Sequence, residues 1–154
     1  MLEHPHTVMG LSDGGAHCGV ISDASFPTTL IAHWGRDRTR GKQMPLEQLV
    51  SMQTKETANL VGLHDRGVLA PGYKADINVI DFDNLRLPPP RVEYDLPAGG
   101  RRLVQRAEGY VATIVAGTVA FRNGESTGAL NGSLVRGAQP APTTDIRTDQ
   151  EVPA

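Results

Sequence analysis

The chain has 154 residues, 39% of them hydrophobic, and a formal net charge of −2 at pH 7, which allows a packed core and provides no general field that would attract nucleic acid or an anionic membrane. No apolar run approaches the ~20 residues that a membrane-spanning helix needs, and the first residues lack the order of a signal peptide. The single cysteine, Cys18, excludes an internal disulfide and is typical of a reducing, cytoplasmic protein.

The first predicted element is a short, buried strand. Residues 7–12 form a mostly apolar run, and Asp13, Gly14 and Gly15 follow it directly. Such a run, ended by residues that favour turns, is typical of a buried strand that leads into a loop. We expect this strand to need partners that the chain itself does not supply, as if the sequence began in the middle of a fold.

Helices are predicted next. A short helix is expected over residues 27–34, with Pro27 in its first turn and Gly35 just past its end. Residues 36–42 contain four basic residues in seven and are interpreted as a solvated loop, although they could also hold an acidic substrate or a partner. We favour the solvated loop.

A second helix is predicted to begin at Pro45, with Leu46, Leu49 and Val50 on one face and an acidic residue in its favourable first turn. The apolar pattern weakens at residues 53–54 and then resumes. This indicates a break, at which Thr54 caps a last short helix that stops at Gly62.

From residue 65 the pattern favours strands. Residues 75–81 alternate apolar and polar side chains, like a half-buried strand, whereas the prolines of residues 87–90 exclude a central strand there. Two strands, 110–115 and 118–121, flank a hairpin at Ala116-Gly117, and Asn123-Gly124 is a second turn. After about residue 135 the chain is poor in residues that form a core.

Asp13 and the glycines after it are the most informative segment. A carboxylate at the carboxyl end of a buried strand, followed by a glycine-rich loop, lies where α/β barrels place catalytic groups. The glycines allow close approach to a ligand and expose N–H groups that can bind an oxyanion. Taken alone, the pattern is more typical of a turn or a helix cap than of a site.

Three segments, taken in order, resemble the amidohydrolase superfamily, specifically the branch of N-acyl-D-amino-acid deacylases. Residues 12–14 resemble the end of the eighth barrel strand, and residues 45–63 resemble the closing helix and its tail. Residues 66–81 resemble the "G-x-I-x-x-G-x-x-A-D-(x)2-V-x-D" segment that leads into the composite β-sandwich. The hairpin at residues 116–119 continues the match, which covers roughly residues 5–130. Thr57 stands where the family usually has proline.

The resemblance implies a fold and a division of the chain. The fold would be mixed α/β, the last strand and helices of a metal-dependent hydrolase (β/α)8 barrel followed by a small composite β-sandwich. Residues 1–64 would be the carboxy-terminal end of the barrel, residues 65–134 the β-sandwich and residues 135–154 a flexible tail. The chain would then be part of a longer enzyme and inactive alone.

The resemblance also implies a function. In such enzymes one or two divalent metals, commonly zinc, activate water, and the strand-8 aspartate contacts the metal and moves the proton. Asp13 matches that position, as general base and metal contact, while Gly14, Gly15 and His17 would contact the substrate. His17 could equally be an ordinary loop residue. The substrate would be a small amide that is hydrolysed at its carbon–nitrogen bond, with N-acyl-D-amino acids as the specific class.

Several other residues invite a functional reading, and the sequence favours a structural one for each. His4 and His6 imitate a His-x-His metal pair, but a strand between them and Asp13 would separate them by more than ~20 Å. No second cysteine or neighbouring histidine has metal-ligand spacing with Cys18. The remaining residues, interpreted as packing, helix-end or β-domain residues, are His33, Trp34, His64, Asp76 and Asp81.

Two alternatives stay open at this stage. The chain could be a non-catalytic, truncated β-sandwich or interaction module that buries its apolar segments by self-association or against the missing amino-terminal part. It could also be a small intact enzyme that uses Asp13 and His17 as an acid–base pair without metal.

Overall fold

Helices occupy the first part of the chain and strands the second in the computed structural model, which describes residues 2–10, 12–15 and 17–143. This confirms the predicted mixed helix-and-sheet character. The two sheets among these residues are open, with four and two strands, so the barrel remnant stays a proposal. Within the same ranges, every helix is too short or too polar to cross a membrane.

The described part of the segment before Asp13 is irregular instead of a strand. Residues 7–10 and 12–13 lie outside any strand, which corrects the prediction of a buried strand over residues 7–12 for its described part. A strand needs a neighbour to pair with its N–H and C=O groups, and neither described sheet extends to this segment. Met9 nevertheless packs, half-buried, against the helical core. The apolar pattern therefore indicated packing but not strand geometry.

The first helix, α1 (residues 23–37), changes its winding along its length. It runs through a 3-10 turn, an α-turn and a π-helix, whose bounds are Asp23–Ser25, Phe26–Thr29 and Leu30–Asp37. Pro27 lies in the first α-turn as predicted, but the helix continues through Gly35. A Cβ at Gly35 would lie 3.1 Å from Leu49 Cδ1, so the glycine permits close packing and does not stop the helix.

Two further helices follow, α2 (Leu46–Gln53) and α3 (Lys55–Leu60). The break between them is confirmed, because Thr54 has non-helical φ and ψ angles of −123° and −88°. Thr54 occupies the N-cap position of α3, as predicted, but its hydroxyl donates to the Val50 carbonyl (2.7 Å) instead of to an N–H of α3. Gly62, with φ +76°, lies just past the end of α3 as expected.

The buried face of α2 differs slightly from the prediction. Leu49 and Met52 are buried, at 0% and 3% exposure, whereas Val50 is 42% exposed. Met52 lies three positions after Leu49, which is the spacing that puts two side chains on one face of a helix. Val50 is adjacent to that face rather than in its centre.

The strands form two antiparallel sheets. Their bounds are β1 (Ile77–Ile80), β2 (Arg91–Leu96), β3 (Gly100–Val104), β4 (Tyr110–Val115), β5 (Thr118–Arg122) and β6 (Glu125–Ser126). The larger sheet has the order β1-β4-β5-β6, and β2 and β3 form a separate hairpin. The predicted turns are confirmed, since Ala116-Gly117 and Asn123-Gly124 all have positive φ. The β2–β3 hairpin was not predicted.

Helix α1 lies between the two hydrophobic clusters of the described chain. Its Leu30 packs with Met44, Leu49 and Met52. Its Ile31 and Ala32 pack with Leu85 of the β part, by which we mean residues 77–126. Buried Thr28 adds a hydrogen bond to the hydroxyl of Tyr110 (2.9 Å). The helix that follows the Asp13 loop is therefore held from both sides.

Arg36 joins α1 to the β part of the chain. Its guanidinium donates to the carbonyls of Phe82, Asp83 and Leu85, the last two at 3.0 and 2.6 Å, and it pairs with Asp37. The hydrogen bonds that it donates to the Asp37 carboxylate raise the pKa of Arg36. The prediction of a solvated loop beginning at residue 36 is thus wrong for Arg36 and Asp37, which are helical.

The described start of the predicted tail contacts the end of α3. The N–H of Gln139 donates to the Gly62 carbonyl (2.9 Å), and the Gln139 carbonyl accepts from the N–H of His64 (3.0 Å). These bonds form a parallel bridge between Leu63 and Gln139. The rest of the predicted tail, residues 144–154, lies outside the described residues, and the proposed domain boundaries stay predictions.

Candidate functional site

Asp13 lies at the surface, at the start of a tight loop. Asp13, Gly14 and Gly15 are all exposed. Gly14 has a packing reason to be glycine, because a Cβ there would lie 3.0 Å from Ala24 N and 3.1 Å from Ala24 Cβ. The structure therefore shows Gly14 packed closely against the first turn of α1. Contact of Gly14 and Gly15 with a substrate stays a prediction.

His17 lies four residues after Asp13 in the same loop. Its φ of +50° is in the left-handed region, as is that of Gly15 at +108°. The His17 carbonyl accepts hydrogen bonds from the N–H groups of Val20 (2.8 Å) and Ile21 (3.1 Å). A histidine in this conformation is uncommon and is held by the surrounding turn. Its imidazole is exposed, and its predicted contact with substrate stays a prediction.

The β2–β3 hairpin fixes the loop at two points. The N–H of Leu103 donates to the Cys18 carbonyl (2.7 Å), and the Ser25 hydroxyl donates to Gln105 Oε1 (2.6 Å). Gln105 in turn donates through Nε2 to the Pro88 carbonyl (2.9 Å). The loop between Asp13 and α1 is thus attached to residues about 80 positions later in the chain.

The hairpin has its own cross-strand support. Arg102 of β3 donates to both carboxylate oxygens of Asp95 on β2, at 2.8 and 2.6 Å. These hydrogen bonds lower the pKa of the Asp95 carboxyl group. Both side chains are more than 40% exposed, so the pair mainly fixes geometry and adds little stability.

The residues near Asp13 do not form a metal site by themselves. A structural or catalytic zinc site needs at least three protein ligands. Within residues 2–10, 12–15 and 17–143, no group of three His, Cys, Asp or Glu side chains is placed to hold a metal ion. Contact of Asp13 with a metal stays a prediction.

His4 and His6 lie in a turn before Asp13. Their rings are 5.6 Å apart, both residues are exposed, and the His6 N–H donates to His4 Nδ1 (3.2 Å). The predicted strand is absent, so the separation argued from strand length no longer applies. Their exclusion as metal ligands stays a prediction.

The structural interpretation holds for four of the other candidates. Trp34 packs on the helical core, and its ring stacks with the Arg38 guanidinium at 4.1 Å. Asp76 accepts a hydrogen bond from the Ala116 N–H (2.8 Å), which supports the hairpin turn. Two hydrogen bonds from Asn84 bind the Asp81 carboxylate and lower its pKa. His64 contacts Asn59 Oδ1 (3.1 Å) just past α3.

Three residues around the loop were missed by the sequence argument: Ser25, Leu103 and Gln105. Nothing in the local pattern marks them, because a serine before a helix and a glutamine after a strand are ordinary. Their importance comes from a contact between distant segments, which a single sequence does not display. Cys18 is exposed and uses its carbonyl, not its thiol, in the contact with β3.

A family model described as "Amidohydrolase family" matches residues 1–121. An uncharacterized protein of Mycobacterium tuberculosis is 36% identical over 130 residues, 80% of this chain and 21% of that protein. A 5-methylthioadenosine/S-adenosylhomocysteine deaminase of Desulfitobacterium hafniense is 44% identical over 55 residues, 36% of this chain and 12% of the deaminase.

A dihydroorotase of Lactobacillus johnsonii is 33% identical over 72 residues, which are 47% of this chain and 16% of that enzyme. The chain thus spans between 12% and 21% of the length of these curated relatives. No solved structure gives a significant match.

Proposed function

The chain belongs to the amidohydrolase family, and from that membership we propose that it is part of a hydrolase that cleaves carbon–nitrogen bonds in small amides. The observation that supports this most is the extent of the family match, which includes both the Asp13 loop and the β part. Similarity to a deaminase and a dihydroorotase supports a carbon–nitrogen bond as the target.

Within this class we propose an N-acyl-D-amino-acid deacylase-like activity. The support is the resemblance of the Asp13 loop and of residues 66–81 to that branch. The amide would be linear, with the acyl group released from the amino acid. Cyclic amides are the second substrate class to test, because the matched relatives include a dihydroorotase.

Asp13 is the residue that we propose for proton transfer. An exposed carboxylate at the start of a loop can accept a proton from an attacking water and return it to the leaving nitrogen. Gly14, Gly15 and His17 would line the substrate side of the same loop. Fixed loop geometry favours such a role, because proton transfer requires the carboxylate within hydrogen-bond distance of the reacting atoms.

The family generally binds divalent metals, and we propose zinc as the ion and Asp13 as one of its contacts. The described residues do not complete a ligand set. We therefore propose that the other ligands belong to a longer protein, located in the cytoplasm, and that the 154-residue chain alone does not turn over substrate.

The test is a hydrolysis assay on the longer gene product with N-acyl-D-amino acids, their L-isomers and cyclic amides. We expect Asp13→Asn to lower kcat about 10²–10⁴-fold, the range for loss of a general acid–base group. Asp23→Asn, a change of the same type ten residues later in α1, is the matched control and should retain wild-type kcat. Wild-type turnover by Asp13→Asn would remove Asp13 from the mechanism.

A non-catalytic role is the second candidate, and the exposed apolar side chains at the end of α3 and soon after it favour it. Leu60, Val61 and Leu69 are 68%, 64% and 83% exposed. Exposed apolar residues of this size can be buried by an interface with another copy or with another part of a longer protein. Sedimentation of the 154-residue chain separates the cases, since a monomer at high concentration would argue against self-association.

A further inference from the structure

The two attachments of the Asp13 loop lie very close together on the hairpin. Leu103 is in β3 and Gln105 follows two residues later. Their partners are Cys18, in the loop after Asp13, and Ser25, in the first turn of α1. One strand and its extension therefore hold both ends of residues 18–25. A single attachment would leave the segment free to pivot, whereas two fix its direction.

Contacts run without a gap from Gln105 back to Asp13. Ser25, which donates to Gln105, follows Ala24, and Ala24 is the residue against which Gly14 is closely packed. Gly14 is the covalent neighbour of Asp13. A displacement of Ser25 would therefore change the packing directly beside the carboxylate.

The amide of Gln105 can act in one orientation only. The Pro88 carbonyl needs a donor, which only Nε2 provides, and this directs Oε1 towards the Ser25 hydroxyl. Pro88 belongs to a run of three prolines, whose rings restrict the backbone. Gln105 is thus supported by a stiff segment, which is what a residue needs in order to hold another group in place.

Resting on the proposed role of Asp13, we propose that the β2–β3 hairpin positions the Asp13 loop and that Gln105 is its positioning residue. Gln105 acts through Ser25 and does not touch the reacting atoms. The hairpin would thus contribute to catalysis although it lies outside the segment that carries the carboxylate.

Hydrogen exchange in the full chain tests the positioning directly, without any activity. Ser25→Ala and Gln105→Leu each remove the Ser25–Gln105 bond, and we expect amides of residues 12–25 to exchange about fivefold faster in both. The double variant should exchange no faster than the faster single one, because both changes remove the same bond. Unchanged exchange, or additive effects, would overturn the proposal.

Two further variants serve as controls. Ser25→Thr keeps the hydroxyl and should retain wild-type exchange in the loop. Thr113→Val removes a comparable hydrogen bond, from Thr113 to Asn78 Oδ1 (2.9 Å), in the four-stranded sheet. It should leave the loop unchanged, and faster loop exchange in this variant would indicate general loosening instead of positioning.

The kinetic test uses the longer, active protein. We expect Gln105→Leu to lower kcat about five- to tenfold with KM and melting temperature equal to those of Thr113→Val, since small misplacements affect the chemical step most. Unchanged kcat with faster loop exchange would overturn the link to Asp13. If the wild type hydrolyses no amide, the proposed function fails, and loop exchange alone decides whether the hairpin positions the loop.

Discussion

The loop after Asp13 and the hairpin between β4 and β5 both turn through residues with positive φ, but they are stabilised in different ways. The hairpin turn, Ala116 and Gly117, lies between strands that pair with each other, and its two N–H groups also donate to Asp76 Oδ1 and to the Ala75 carbonyl. The loop has local hydrogen bonds to the His17 carbonyl but no flanking pair of strands, and its further hydrogen bonds come from Leu103 and Gln105, far along the chain. The turn at the candidate site thus depends on contacts between segments about 80 positions apart, whereas the hairpin turn has paired strands on both sides in addition to its contacts with residues 75 and 76.

The largest expected effect concerns the helical part that supports the loop. Leu49 is fully buried and contacts α1 at Gly35, so Leu49→Ala should lower the free energy of unfolding by about 4 kcal/mol through lost packing and a cavity. Urea unfolding measures the change. Val50→Ala on the same helix should cost less than about 1 kcal/mol, because Val50 is partly exposed. Equal losses would contradict the view that distant contacts organise this part.

A smaller effect is expected from Gly109, a glycine of the β part that packs closely against the backbone of another segment. Gly109 has φ +100°, and a Cβ there would lie 2.7 Å from Leu85 Cα. Gly109→Ala should therefore destabilise by about 3 kcal/mol, because neither backbone can move easily. Gly117→Ala also has positive φ but faces open space, and about 1 kcal/mol is expected. Thermal or urea unfolding that ranks the two variants in reverse would show that local strain dominates.

The smallest effect should come from the local turn itself. Ala116 has φ +47°, which asparagine adopts more readily than alanine, and the Ala116 N–H bond to Asp76 does not depend on the side chain. We expect Ala116→Asn to stabilise the chain by about 0.5 kcal/mol. A higher midpoint of urea unfolding, with an unchanged slope, would confirm a purely local gain, and a lower midpoint would contradict it.

The difference between the two turns also explains which predictions succeeded. The turns at Ala116-Gly117 and Asn123-Gly124 are encoded by glycine and asparagine, which adopt positive φ readily, and the loop before β2 is encoded by prolines, which restrict φ. The strand before Asp13 was predicted wrongly because apolar character shows that a segment packs and not what it pairs with. The β2–β3 hairpin escaped notice although residues 91–96 alternate polar and apolar side chains, because residues 100–104 show no such alternation.

The candidate site was predictable only in part for the same reason. Asp13 and its glycines stand out in the sequence because they form a compact motif that resembles a family. Gln105 and Arg36 do not stand out, since their contribution arises from carbonyl groups and hydroxyls presented by other segments. When a side chain bonds to a backbone carbonyl, the residue type of its partner does not matter. The sequence therefore contains no matching residue that would point to the contact.

The bridge between Leu63 and Gln139 has a consequence for how the chain is made. Residues of α1, α2 and α3 leave the ribosome well before Gln139 does, so the Gly62 carbonyl and the His64 N–H first meet only water. Their final partner, Gln139, is synthesised only after the whole β1–β6 segment. The bridge that joins residue 63 to residue 139 must therefore form after α3 and all six of these strands have been made.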